Sequence, residues 1–189
     1  MSWGEEQLIP ILDVLDDKKI ERANFFISAS WAERYPDLVE EINKRGYSIG
    51  SHGYRYIDYV GSEQDKVRND INKSTAVIEE LIGERPTLLR PPNGSFNKEI
   101  LTIADRAGYS IVHWSVQSND YQNPGADAII DAVVPNTEPG DVILFHASDS
   151  VKQTHEALPI IIDQLKEKGF SFTTVEELIA NAETTNEEI

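Results

Sequence analysis

Short apolar runs and amphipathic stretches alternate along the whole chain. Leu8, Ile9, Ile11, Leu12 and Leu15 recur on one helical face ahead of Lys18-Lys19, which predicts a first helix. Ala23-Asn24-Phe25-Phe26-Ile27 reads as a buried strand. Pro36 opens a helix carried by Leu38, Val39 and Ile42 and stopped by Gly46, and Tyr47 to Gly50 is a second strand. Ser62 with Asp65 has the form of a capping box, starting a long helix along Val67, Ile71, Ile78, Leu81 and Ile82. Thr87-Leu88-Leu89 is a third strand. Asn97 then caps a helix through Ile100, Leu101 and Ala104 that Gly108 closes. Tyr109 to Trp114 is a fourth strand, Ala126 to Val134 a helix, and Val142 to Phe145 a fifth strand after the turn at Glu138-Pro139-Gly140-Asp141. A helix follows through Leu158, Ile161, Ile162 and Leu165 to Gly169. Phe170-Ser171-Phe172 reads as a sixth strand and Val175 to Ala180 as a last helix.

Near-continuous apolar strands separated by helices predict a parallel α/β fold, either a barrel or a doubly wound sheet. The length of 189 residues suits one domain, over 1–180, and the polar acidic tail 181–189 is predicted to lack fixed structure. Such folds normally begin on a strand, whereas this pattern begins on a helix. The expectation is that a first strand is missing from its front.

Composition narrows the partners. With 17 basic against 33 acidic residues the net charge is −16, a surface that repels phosphate backbones and anionic lipid. Nucleic acid is therefore not an expected partner. The absence of cysteine excludes disulfides, thiolate metal sites and cysteine nucleophiles, and leaves the redox compartment open. No apolar run reaches the roughly 20 residues of a membrane span. Met1-Ser2-Trp3-Gly4-Glu5-Glu6 is neither basic nor apolar, so no signal peptide is read there.

In parallel α/β folds, sites gather at the carboxyl ends of the strands. The predicted ends carry His52 after strand two, Arg90 after strand three, Gln117 and Asp120 after strand four, and His146 after strand five. Each has a plainer reading. A lone His52 is often a satisfied polar residue, Arg90 suits an ion pair on an acidic surface, and Asp120 suits a turn before Asn123-Pro124-Gly125. His146 is harder to set aside, because the buried run Val142 to Phe145 delivers it to the rim. His113, inside a strand, and His155, on a helix, read as structural.

Together these segments resemble the NodB-like polysaccharide deacetylases, carbohydrate esterase family four. The matching stretches are Ser51-His52-Gly53-Tyr54-Arg55, Arg90-Pro91-Pro92-Asn93-Gly94, Trp114-Ser115-Val116 with Asp120, and Ile143-Leu144-Phe145-His146. The resemblance implies a distorted (β/α) barrel holding a divalent metal, usually zinc. It also implies hydrolysis of N-acetyl groups on amino-sugar polymers such as peptidoglycan or chitin, and export to the cell envelope in many members. By resemblance His146, Arg90 and Asp120 form the catalytic set, with His146 as acid and Arg90 holding the base. His52 is a metal ligand. Tyr54, Pro92, Asn93, Trp114 and Tyr121 meet the sugar, the Asn93 backbone N–H meets the oxyanion, and Leu144 lines the acetyl pocket.

Three departures from that pattern bear on activity. Tyr56 occupies the place of the second metal histidine, and a phenol with a reference pKa of about 10 is a poor zinc ligand. Gln117 stands where the resemblance implies the aspartate that tunes the catalytic histidine. The acidic pair that ends the family's first strand is absent, in keeping with the missing front. The expectation is a polysaccharide deacetylase-like protein with impaired chemistry. The alternative is an inactive carbohydrate-binding member or a scaffold.

Overall fold

Phe26 and Gly50 set how closely the first two strands approach. A computed structural model describes residues 1–187 of the chain. The helices are α1 (Leu8–Asp17), α2 (Ala29–Ala32), α3 (Pro36–Lys44), α4 (Gln64–Ile82), α5 (Lys98–Arg106), α6 (Ala126–Val133), α7 (Thr154–Glu167) and α8 (Val175–Glu187). The strands are β1 (Asn24–Ile27), β2 (Ser48–Ser51), β3 (Leu88–Leu89), β4 (Ser110–Ile111), β5 (Val116–Gln117) and β6 (Ile143–Leu144). The chain divides into two units, one of Met1–Glu5 with Phe25–His113, the other of Glu6–Asn24 with the chain from Trp114.

The first unit is built on a sheet in the order β1-β2-β3-β4. β2 pairs with β3 and β3 with β4, both parallel, with Ser51 opposite Leu89 and Leu89 opposite Ile111. The stagger places His52 and Arg90 one step beyond the ladder on neighbouring strands. One core packs α4 and α5 under β3 through Val67, Ile71, Leu89, Ile100, Ile103 and Tyr109. Gly50 lies against Phe26, and a Cβ there would stand 2.6 Å from the ring and 3.1 Å from Leu88 O. Gly50→Ala is expected to cost about 1–3 kcal/mol in a urea melt, because the ring or the strand must shift. The chain start runs beside β1, where the Met1 amine donates to Phe26 O and Ser28 N donates to Met1 O at 2.8 Å.

The second unit holds the parallel pair β5-β6, with Val116 opposite Ile143 and Gln117 opposite Leu144. Its core joins Val116, Ile129, Val133, Ala157, Ile161 and Leu165, with Phe145, Phe170 and Phe172 packed against it. Asp149 Oδ1 accepts from Glu6 N at 2.8 Å and Gln7 N at 3.0 Å, so a distant loop caps α1.

The parallel α/β expectation holds, and several local ones do not. The capping box at Ser62 does not form: Ser62 Oγ donates to Asp58 O at 2.7 Å, and Glu63 is the residue before α4. Asn97 does cap α5, its side chain accepting from Ile100 N at 3.0 Å. The predicted fourth strand shrinks to Ser110–Ile111, and Gln117 lies on a separate strand, β5. Phe170 to Phe172 forms no strand, because its two rings turn into the core without a ladder partner. The tail was expected to lose structure from Asn181, yet α8 continues to Glu187, and residues 188–189 lie outside the described residues.

Candidate functional site

In the first unit the metal-type residues lie on a loop leaving β2. His52 N donates to Ile27 O at 2.8 Å, and His52 Nδ1 meets Arg90 O at 2.5 Å. A carbonyl only accepts, so Nδ1 carries a proton. Tyr56 stands edge-on to this imidazole, ring centroids 5.4 Å apart, and is 55% exposed.

The loop between these two rings is held from below by a residue that the sequence reading passed over. Asp70, buried on α4, accepts from Tyr54 N at 2.9 Å, Arg55 N at 3.0 Å and Tyr59 Oη at 2.8 Å. Burial, then the Asp70 charge, push the Tyr59 phenol far above its usual range, so it remains a donor. Gly53, at φ +75°, passes over this network, and a Cβ would sit 2.4 Å from Tyr59 Oη and 2.7 Å from Asp70 Oδ2. Asp70 did leave a signal, since it falls between Val67 and Ser74 on the buried stripe of α4. A carboxylate on an apolar face needs donors.

Arg90 follows β3. Its Nε donates to Val112 O at 3.3 Å and its Nη2 to His113 O at 3.2 Å, and its guanidinium lies 4.2 Å over the Phe26 ring. Burial draws its pKa down to about 10, which leaves it charged at neutral pH. Pro92 is buried, and Asn93 is exposed at φ 58° in the turn that follows. Tyr54 donates to Glu33 at 2.9 Å, and Lys73 Nζ lies 3.7 Å from its ring centroid. His113 lies beyond β4, exposed and edge-on to Phe96 at 5.8 Å, so it is not inside a strand.

In the second unit the structure joins Asp120 to His146. Asp120 Oδ1 lies 2.7 Å from His146 Nδ1, and Asp120 Oδ2 accepts from His146 N at 2.7 Å and Thr154 Oγ1 at 2.9 Å. The Asp120 side chain is wholly buried, while that of His146 is 37% exposed. This arrangement corrects the reading of Gln117: the carboxylate on His146 is Asp120, and the neutral amide at Gln117 takes nothing from it. Asp120 also starts a turn, as its plainer reading expected. Tyr121 stacks edge-on to His146 at 5.8 Å, Leu144 is buried on β6, and Trp114 is half-buried. Thr154 is a second residue that the sequence reading missed, although it opens the buried stripe 154, 157, 158, 161 of α7.

A divalent metal is the group that this site type implies. Among the described residues no three His, Cys, Asp or Glu side chains come together as a metal cluster. His52 offers one imidazole and its neighbour is a phenol, so the residues do not fit a three-ligand centre.

A family model for polysaccharide deacetylases matches residues 5–112. A peptidoglycan-N-acetylglucosamine deacetylase from Bacillus cereus is 37% identical over 172 residues, 89% of this chain and 80% of its own length. The uncharacterized protein YlxY of Bacillus subtilis is 32% identical over 179 residues, 95% of this chain, and the chain spans 55% of that protein. The crystal structure of a CE4 family pseudoenzyme from Bacillus anthracis superposes with a TM-score of 0.88 at 28% identity, covering 94% of this chain and 63% of that one. A mutant of the same protein, with restored enzymatic activity, gives 0.88 at 29% identity and covers 94% and 65%. The chain belongs to the polysaccharide deacetylase family.

Proposed function

We propose that this chain is a deacetylase-fold domain that binds amino-sugar polymers of the peptidoglycan or chitin class and whose hydrolysis of their N-acetyl groups is impaired. The observation that carries the reading is Tyr56 facing His52 at 5.4 Å, in the place where a second imidazole would complete the metal pair. The likeness to a pseudoenzyme of the same family supports it. Zinc is the ion that the family chemistry would use.

The remaining residues keep recognisable roles. The Asp120 carboxylate fixes the Nδ1 side of His146, so Nε2 is the atom that would deliver a proton to a leaving amine. Arg90, charged and stacked on Phe26, would orient a carboxylate base. Tyr121, 46% exposed beside His146, and Tyr54, Pro92, Asn93 and Trp114 would meet the sugar, with Leu144 at the acetyl methyl.

Metal analysis of the purified chain, paired with acetate release from chito-oligosaccharides, tests the proposal. The expected result is substoichiometric zinc, no chelator-sensitive turnover, and oligosaccharide binding by calorimetry. Stoichiometric zinc with turnover abolished by chelator would overturn the impairment. Absence of binding to any amino-sugar polymer would overturn the carbohydrate reading in favour of a scaffold.

A further inference from the structure

The second oxygen of Asp120 has a partner of its own. Thr154 is fully buried as the first residue of α7, and its hydroxyl donates to Asp120 Oδ2 at 2.9 Å. The same oxygen accepts the His146 backbone N–H at 2.7 Å, which leaves Oδ1 to face the imidazole at 2.7 Å. The peptide behind the carboxylate is fixed as well, because Asp120 N donates to Ser118 Oγ at 3.3 Å and Asn119 stands at φ 58°. A carboxylate held at one oxygen by two donors cannot rotate, so the lone pair of the other oxygen stays aimed at one ring nitrogen. The N-terminal end of α7 adds a favourable dipole for that negative charge.

We infer that Thr154 is a positioning residue for His146, acting through Asp120 to hold the imidazole as its Nδ1–H tautomer with Nε2 turned outward. The hydroxyl itself touches no reacting group. Its work is to remove the freedom of the carboxylate that orients the proton carrier. This rests on His146 and Asp120 being paired, and it needs neither turnover nor a bound ion. A failure here is therefore separable from a failure of the proposed function.

The test is proton NMR of the full chain at neutral pH, following the downfield Nδ1–H resonance of His146. Asp120→Asn identifies the signal by removing it. The wild type and Thr154→Ser are expected to show a slowly exchanging resonance. Thr154→Val, nearly the same shape without the donor, is expected to lose it or to exchange it at least about tenfold faster, with the thermal transition still cooperative. A resonance unchanged in Thr154→Val would overturn the inference. So would its loss in a folded Thr154→Ser, since the hydroxyl would still be present. Should Thr154→Val not fold, Thr154→Ala carries the same test, since it also removes the hydroxyl donor to Asp120: loss or faster exchange of the resonance supports the inference and an unchanged resonance overturns it.

Discussion

Asp70→Ala is expected to lower the stability of the chain by about 3 kcal/mol in a urea melt. Three donors converge on this carboxylate, and only the backbone N–H groups of Tyr54 and Arg55 are near enough to the surface for water to replace it. The Tyr59 hydroxyl is fully buried and would be stranded. An orphaned buried donor of this kind costs roughly 1–3 kcal/mol, and the loop loses its two anchors as well. Asp70→Asn should cost about half as much, because the amide oxygen keeps one acceptor. Tyr59→Phe combined with Asp70→Ala should cost less than the two singly, since each removes the need for the other. A loss below about 1 kcal/mol in Asp70→Ala would show that the loop stands without this network.

Tyr56→His is expected to raise zinc affinity about tenfold or more, read by calorimetry. The loop backbone is already set by Asp70, and the ring at position 56 lies at pairing distance from His52. The bond from His52 Nδ1 to Arg90 O fixes the ring's orientation and puts the proton on that nitrogen, as second-shell carbonyls do for ligating imidazoles in general. Replacing a phenol by an imidazole then adds a second neutral donor, while an exposed position makes the change nearly neutral for stability. Unchanged affinity would mean that position 56 is not a ligand position.

How much of this was legible in the sequence differs between backbone and side chains. Apolar periodicity located α1, α3, α5 and the strands before His52 and Arg90, because burial of one face dictates it. The four motif segments, taken in order, pointed to the family. What periodicity does not carry is which polar atoms meet across the fold. It therefore assigns no role to Asp70 or Thr154, whose partners come from other elements. The carboxylate facing His146 is expected at position 117 and is found at Asp120, three residues on and beyond the end of β5. Strand edges failed for the same reason: Phe170 and Phe172 have strand-like alternation, and only a neighbouring ladder could have made them one. The Ser62 box failed because Asp58 O, in a loop, captured its hydroxyl first.

The division of labour around Gly53 has an evolutionary consequence. The loop's shape is owned by residues beneath it, whereas the ring at position 56 is more than half exposed and stands edge-on to His52. A change at that one codon therefore leaves the scaffold beneath untouched, because the bonds of Asp70 go to the Tyr54 and Arg55 backbone and to Tyr59.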